Sequence, residues 1–187
     1  MRPTIFPTGY WGRACEERHD WSPALAEWIG QHLKGTEEVP VYDLGCGMGS
    51  YVNYLERIGF RALGFEGDPP NNAHSSKIIQ HDLTVPIVVT QPGNVIFLEV
   101  AEHVPAQFED ALLTNVTNVC SDKLVMSWAV RGQRGDGHVN CLNNDEAIER
   151  MTHRGFTFLP EETASSREAV KDCALAFFRN TLLIFRR

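Results

Sequence analysis

A glycine-rich turn between a buried strand and a helix constrains this chain more than any other stretch. Residues 41–44 are apolar apart from Asp43, which is the pattern of a buried parallel strand, and the turn Gly45-Cys46-Gly47-Met48-Gly49 follows directly. Apolar residues then recur at helical spacing over residues 52–58, and a second apolar stretch ends on Glu66. The sequence therefore predicts a strand, a tight turn, a helix and a second strand, which is half of a nucleotide-binding crossover.

The charge beside this turn distinguishes two kinds of ligand. In the nicotinamide-binding fingerprint, glycines let the backbone approach a pyrophosphate and a later acid holds a ribose hydroxyl. Here Ser50 stands where that fingerprint has its third glycine, and the carboxylate of Asp43 would repel a pyrophosphate. A ligand with a sulfonium, an ammonium, a ribose and an adenine but no phosphate fits these residues better, and S-adenosylmethionine is such a ligand.

The segment Asp43-Leu44-Gly45-Cys46-Gly47-Met48-Gly49 resembles the first motif of class I S-adenosylmethionine-dependent methyltransferases, and Glu66 stands where that family keeps its ribose-binding acid. The resemblance covers nearly the whole chain. It implies an α/β, Rossmann-like fold with a seven-stranded, mostly parallel sheet, helices on both faces and an antiparallel last strand. It also implies S-adenosylmethionine as cofactor and S-adenosylhomocysteine as product. The cofactor-binding residues that it implies are Asp43, Gly45, Gly47, Glu66, Asp82 and Glu99.

Two of these acids match later motifs of the family. Asp82 resembles the acid that accepts a hydrogen bond from the adenine amino group, although capping of a turn explains it as well. The segment Leu98-Glu99-Val100-Ala101-Glu102-His103 resembles the fourth motif, whose first acid lies near the methionine part of the cofactor. Between Glu66 and Asp82, the segment of residues 67–77 is too short and too rich in turn residues for the full helix of the family. The Asn-Pro-Pro-Tyr motif of base and amide methylation is missing from the fourth motif, which argues against nucleic-acid bases as acceptors.

A long polar loop at residues 131–140 follows the predicted fifth strand and leaves the same edge of the sheet. An alcohol acceptor must lose its proton during attack on the methyl group, and a histidine that titrates near neutral pH suits that task. We predict His138 as the general base, with His103 as the second candidate. The predicted substrate-binding residues are Arg131, Asp136 and Asn140 from the loop, and Tyr10 and Trp11 from the N-terminal arm.

Metal assistance is the rival mechanism. Oxygen and nitrogen ligands could come from the rim residues Glu99, Glu102, Asp136, His138 and Asn140. Their spacing matches no metal-binding signature, so the sequence predicts no metal.

Length and composition set the remaining expectations. The 187 residues suit a single domain spanning 1–187, with an N-terminal arm and a covering helix at residues 1–35. The 17 basic residues form no stripe and are outnumbered by 24 acidic ones, which argues against a nucleic-acid partner. Five widely spaced cysteines and the lack of a signal-peptide or membrane-length apolar run indicate a cytoplasmic protein without a membrane partner.

The predicted function is O-methylation of a hydroxyl group on a small molecule, sugar or glycan. Three alternatives stay open at this point: methylation of a protein or RNA, a nicotinamide-dependent oxidoreductase, and a non-catalytic subunit that binds the cofactor. The sequence leaves the oligomeric state undefined.

Overall fold

The computed structural model describes residues 4–12 and 21–187. Within them the strands are β1 (Val41–Leu44), β2 (Ala62–Glu66), β3 (Ile78–Gln80), β4 (Gly93–Phe97), β5 (Cys120–Ser127), β6 (Thr157–Phe158) and β7 (Leu182–Arg186). The α-helices are α1 (Pro23–His32), α2 (Ser50–Arg57), α3 (Glu109–Val119), α4 (Asn144–His153), α5 (Pro160–Ala169) and α6 (Phe178–Thr181). Short 3₁₀ turns span Ala101–His103 and Ala106–Phe108. The predicted arm falls largely on residues 1–3 and 13–20, which lie outside the described residues.

The seven strands form one sheet in the order β3-β2-β1-β4-β5-β7-β6. The pairs β1/β2, β1/β4, β2/β3 and β4/β5 are parallel, whereas β7 runs antiparallel to both β5 and β6. The predicted fold class, a mostly parallel sheet whose last strand is antiparallel, is therefore confirmed. The position of β7 between β5 and β6 also differs from the doubly wound dinucleotide-binding fold, whose order is 3-2-1-4-5-6.

Two hydrophobic cores lie on opposite faces of this sheet. Because neighbouring strand residues point to opposite faces, Phe97 belongs to the core beneath α3 and α4 while Ile96 belongs to the core beneath α1 and α2. Both side chains are completely buried. The pair Ser22-Pro23 predicts a helix start, and helix α1 begins there, with the Ser22 hydroxyl accepting the Leu25 N–H at 3.2 Å. The covered faces leave the carboxyl edge of the sheet as the open side of the fold.

The chain leaves β4 earlier than the sequence pattern predicts. The mostly apolar stretch of residues 94–100 predicts one continuous strand, but β4 ends at Phe97, and Glu99 adopts a left-handed conformation with φ 53°. The hydroxyl of Ser127 accepts the Glu99 N–H at 2.8 Å and fixes this turn. The turn lifts the side chain of Glu99 out of the sheet and into the space above its edge.

The connection between β2 and β3 contains turns and no helix, as the turn-rich sequence predicts. It folds back onto the glycine turn, because the His74 N–H donates to the Met48 carbonyl at 2.7 Å. The His74 ring also lies 2.9 Å from the Ser50 hydroxyl. This short connection therefore braces the start of α2.

None of the helices in the described part of the chain is long and apolar enough to cross a membrane.

Candidate active site

A cleft of about 300 Å³ opens at the carboxyl ends of β1, β2 and β4. This is the edge at which open α/β sheets bind ligands, because the strand order reverses there and the two flanking loops diverge. The glycine turn forms its floor, the loop after β5 forms one wall, and residues 9–11 of the N-terminal segment form another.

The main chain of the glycine turn packs so closely against Val100 that Gly45 leaves no space for a side chain. Gly45 has φ +81°, and a Cβ there would lie 2.4 Å from the side chain of Val100. Glu66 holds the turn in position, since its carboxylate accepts the N–H of Gly47 at 2.8 Å and the N–H of Gly67 at 2.7 Å. Residues 45–48 therefore line the cleft in a fixed geometry.

Asp43 lies beneath this turn and is almost completely buried. Its Oδ2 atom has no hydrogen-bond partner among the described residues. Burial, with the nearby charge of Glu66 as a second cause, raises the pKa of Asp43 to about 8. A buried acid with an unsatisfied oxygen favours a cationic ligand, because a positive group would compensate for the lost hydration.

Two glutamates after β4 add to this negative environment. Glu99 lines the cleft, where one carboxylate oxygen accepts a hydrogen bond from the Gln133 side chain at 2.8 Å. Burial raises the pKa of Glu99. Glu102 is fully buried, and burial together with the charge of Glu99 raises the pKa of its carboxyl well above the usual range. The cleft thus combines two buried acids, Asp43 and Glu102, with the partly buried Glu99.

The structure brings the two predicted catalytic histidines together. The rings of His103 and His138 meet edge to face with their centroids 5.0 Å apart. His138 Nδ1 lies 3.1 Å from the Gln133 carbonyl oxygen. Because a carbonyl can only accept, this contact places the proton on Nδ1 and leaves Nε2 as a proton acceptor. The histidine therefore has the tautomer that a general base requires.

The loop around His138 is packed tightly against this ring. A Cβ at Gly135 would lie 2.1 Å from His138 Nε2, so only glycine permits the observed ring position. The Glu102 carbonyl accepts the N–H groups of Val139 and Asn140 at 2.8 and 2.9 Å. These backbone bonds fix the loop relative to the turn that carries Glu102 and His103.

Two predicted substrate-binding residues lie elsewhere, contrary to the expectation from the sequence. Arg131 turns outward and binds both oxygens of Glu146 at 2.6 and 3.0 Å. The side chain of Asn140 donates to Glu109 at 2.9 Å, and both residues line a second cavity behind the loop. The cause is local: Glu146 caps α4 and attracts the guanidinium, while Glu109 at the start of α3 attracts the amide. Asp136, by contrast, lines the main cleft.

Asp82 lies beside the cleft and is not among the residues that line it. One carboxylate oxygen accepts the Thr8 hydroxyl at 2.7 Å, and the other accepts the N–H and hydroxyl of Thr84 at 2.9 and 2.8 Å. Partial burial opposes ionisation, but these hydrogen bonds outweigh it and hold the pKa of Asp82 below its usual value. The structure therefore gives Asp82 a role in anchoring the N-terminal segment.

That segment, residues 4–12, runs across the cleft. Trp11 forms an isolated bridge with Ile5 and packs edge-on against His103 at 5.0 Å. The ring of Tyr10 lies so close to Gly67 that a Cβ there would be 2.3 Å away. Tyr10 and Trp11 thus both line the cleft, and their role in substrate binding stays a prediction.

We expect Thr8→Val to loosen this segment selectively. The substitution removes a hydrogen bond to a carboxylate, which is worth about 1.5–3 kcal/mol, and keeps the side-chain volume. The amide protons of Phe6, Gly9 and Gly12, which are bonded within the segment, should exchange at least about tenfold faster with solvent. Hydrogen exchange read by mass spectrometry tests this, with the amides of β4 as the internal control. Equal protection of the segment in both proteins would contradict the anchoring role of Asp82.

Sequence reasoning did not identify Gln133 as part of the site. A glutamine in a polar loop has no distinguishing pattern, and only the fold shows that its carbonyl orients His138 while its side chain binds Glu99. Glu102 was considered only as a metal ligand, because no sequence pattern indicates its complete burial.

Solved structures with the same architecture come from proteins of low sequence identity. Magnesium protoporphyrin IX methyltransferase from Synechocystis PCC 6803, with bound S-adenosylhomocysteine, is 17% identical over 87% of this chain and 81% of that chain, with a TM-score of 0.62. A sugar N-methyltransferase from Streptoalloteichus sp ATCC 53650 is 13% identical over 91% and 89%, with a TM-score of 0.66. The cyclase SpnF is 14% identical over 100% and 85%, with a TM-score of 0.57. No family model and no curated protein sequence matches the chain.

These likenesses establish the fold. The chain has the Rossmann-like fold of class I S-adenosylmethionine-dependent methyltransferases, the class that its glycine turn resembles. Because a cyclase shares this fold, the activity has to be argued from the residues of the cleft.

Proposed function

We propose that this protein is an S-adenosylmethionine-dependent methyltransferase that methylates a hydroxyl group of a small molecule or sugar. The observation that carries the proposal is the buried, unsatisfied carboxyl of Asp43 beneath a glycine turn that Glu66 holds in place. This arrangement favours a cationic ligand without phosphate. Several solved structures of the same fold contain S-adenosylmethionine or S-adenosylhomocysteine, which supports this choice of cofactor.

The residues present fit this cofactor. The backbone of residues 45–48, which line the cleft, would support it. The Glu66 carboxylate would face the ribose hydroxyls, and Asp43 and Glu99 would face its positive groups. Each of these two acids has one buried oxygen without a hydrogen-bond partner in the described part of the chain. When bound, the cofactor supplies a methyl carbon that is already activated by a positively charged sulfur.

The protein's own contribution to catalysis would be to orient the acceptor and take its proton. Methyl transfer needs a lone pair of the acceptor aligned with the methyl carbon in a site from which water is excluded. His138 Nε2 would accept the hydroxyl proton as the new bond to carbon forms. Trp11 and residues 133–138 would shield the reacting groups from water.

A sugar or another polyol is the acceptor class that the cleft wall favours. Arg134 and Asp136 line it together with the side chain of Gln133, so donors and acceptors alternate along one short loop. Such a surface suits a ligand with several hydroxyl groups. One protein of the same fold is a sugar N-methyltransferase, which supports a sugar as the acceptor. Whether an oxygen or a nitrogen of the acceptor receives the methyl group is a matter for experiment.

Calorimetry followed by a transfer assay tests this function. We expect S-adenosylmethionine and S-adenosylhomocysteine to bind with micromolar dissociation constants and NADH not to bind. Transfer from radiolabelled S-adenosylmethionine should then label a neutral sugar or alcohol in a panel that also contains amino sugars, peptides and RNA. Binding of NADH in place of S-adenosylmethionine would overturn the proposal. If the cofactor binds tightly but only amines or macromolecules are labelled, the assignment of the cofactor stands and the hydroxyl acceptor is rejected.

A further inference from the structure

We infer that the acceptor carries a planar aromatic group next to its reacting hydroxyl, and that this group binds an apolar side of the cleft. This side, the aromatic wall, consists of Trp21, Tyr51, Leu98, Phe177 and Phe178. The inference rests on the proposed function and narrows its substrate class to phenols and to alcohols or sugars linked to an aromatic ring.

Four separate segments contribute to the aromatic wall: the residues before α1, the first turn of α2, the turn after β4 and the start of α6. Helix α6 reaches the cleft because β7 follows it directly and runs antiparallel to β5, which pairs Leu182 with Ser127 at the carboxyl end of β5. In the sheet, β5 and β7 lie on the opposite side of β1 from β2, whose last residue is Glu66. Phe177 and Phe178 therefore enter the cleft from the side away from the acid assigned to the ribose.

The aromatic wall has a buried base and a partly open surface. Tyr51 and Phe178 are buried and belong to the core beneath α1 and α2. Trp21 packs edge-on against Tyr51 with the ring centroids 6.0 Å apart, and Phe177 packs against Phe178 at 4.7 Å. Trp21 keeps 37% of its surface exposed, and Phe177 is half-buried. The core therefore holds two rings in place, and two further rings on top of them line the cleft.

The aromatic wall offers few hydrogen bonds to a ligand. Its polar side-chain groups are the Trp21 indole N–H and the Tyr51 hydroxyl, and this hydroxyl already accepts the Ser22 N–H at 3.1 Å. Hydroxyl groups placed here would lose hydrogen bonds to water without replacing them. An aromatic ring has no such loss, buries apolar area and packs favourably edge-on or offset on other rings. The wall therefore suits an aromatic ring, whereas the polar side chains of residues 133–138 suit hydroxyl groups.

The aromatic wall meets the loop after β5 next to the proposed general base. Leu98 belongs to the wall, and the residue after it, Glu99, accepts a hydrogen bond from the Gln133 side chain at 2.8 Å. The Gln133 carbonyl oxygen in turn lies 3.1 Å from His138 Nδ1. The ring and the hydroxyl of one acceptor would therefore bind on the two sides of this junction.

Binding of 2-naphthol to the protein saturated with S-adenosylhomocysteine tests this inference without a known acceptor. The probe combines a flat apolar body with one hydroxyl, and its saturated counterpart, decahydro-2-naphthol, has the same carbon skeleton without aromatic rings. We expect 2-naphthol to bind at least about threefold more tightly than the saturated alcohol, because only aromatic rings gain from edge-on or offset packing on the wall. Calorimetry measures both dissociation constants.

The indole N–H signals of the NMR spectrum locate the bound probe. The signal of Trp21, assigned by its loss in Trp21→Ala, should shift when 2-naphthol is added. The signals of Trp28 and Trp128 should stay in place, because neither residue is among those that line the cleft.

Substitutions in the aromatic wall should weaken the binding of 2-naphthol and retain that of S-adenosylhomocysteine. We expect Trp21→Ala to raise the dissociation constant of 2-naphthol about five- to tenfold, since it removes apolar area that the probe buries. Phe177→Ala, a second variant in a different segment, should act in the same direction. Trp28→Ala is the matched control, because Trp28 stacks on His32 outside the residues that line the cleft, and it should leave the affinity within about twofold.

Several results would overturn the inference. They are the absence of 2-naphthol binding, equal affinity for the saturated alcohol, and unchanged binding in both Trp21→Ala and Phe177→Ala. Displacement of 2-naphthol by S-adenosylhomocysteine would also overturn it, because the aromatic wall would then belong to the cofactor site. Failure of S-adenosylhomocysteine itself to bind would instead reject the proposed function, so the two proposals fail in different measurements.

Discussion

His138→Ala should slow methyl transfer by about two to four orders of magnitude while S-adenosylhomocysteine affinity stays within about twofold. This is the usual contribution of a positioned general base. The structure motivates the expectation, because the Gln133 carbonyl holds Nδ1 and leaves Nε2 to accept a proton. Single-turnover rates with radiolabelled S-adenosylmethionine and a labelled alcohol from the panel measure the loss, and calorimetry measures the affinity.

Arg131→Gln is the matched control for this variant. It alters the same loop, but its guanidinium is half-exposed and bound to Glu146 outside the cleft, so the rate should change less than about threefold. Imidazole added to the medium should restore part of the activity of His138→Ala, since it can occupy the space left by the ring and accept the proton. A rate for His138→Ala equal to that of Arg131→Gln would remove His138 from the mechanism.

Asp43→Asn should weaken the binding of S-adenosylmethionine by about 10- to 100-fold, the effect of losing one charge-assisted contact in a buried site. In the wild type, affinity should also rise between pH 6 and pH 8. Burial raises the pKa of Asp43 to about 8, so this acid is mostly protonated at pH 6 and becomes increasingly available as a carboxylate above it. Calorimetry at three pH values measures both effects, and the asparagine variant should lose the pH dependence that Asp43 contributes.

Asp43→Asn should weaken cofactor binding, but it should raise the stability of the cofactor-free protein. Between the ordinary pKa of 3.8 and the raised value of about 8, folded Asp43 keeps a proton that the unfolded chain has released. Stability must therefore fall as pH rises through this range, by about 1.4 kcal/mol per pH unit for one proton. Asparagine cannot titrate, so Asp43→Asn should flatten the decline and melt at a higher temperature than the wild type at pH 8 without cofactor. Parallel pH profiles of melting temperature in the two proteins would contradict the buried, unpaired state of Asp43.

The first strand, the glycine turn, the helix after it and the second strand followed from local sequence patterns. Asp43, the glycines after it and Glu66 lie within 24 residues of one another, on a strand, a tight turn and the next strand. Buried strands carry continuous apolar runs, and glycine alone tolerates the φ values of such a turn, so these elements can be read without knowledge of distant contacts. The end of β4 was harder to predict, because the bond from Glu99 to Ser127 joins residues that are far apart in the sequence.

The acceptor side of the cleft was decided by tertiary structure. Polar loop residues have no periodicity, and their directions depend on which distant charge each one meets. Arg131 faces Glu146 and leaves the cleft, whereas Gln133 faces Glu99 and enters it, although the two residues are neighbours in the same loop. The loop after β5 likewise bonds to the Glu102 carbonyl, which joins two segments that are distant in the sequence. The sequence by itself therefore determined the fold and the charge beneath the glycine turn, which depend on local backbone and burial patterns. Only the packing of separate segments decided which polar groups surround the acceptor, because hydrogen bonds between distant residues leave no pattern in the chain.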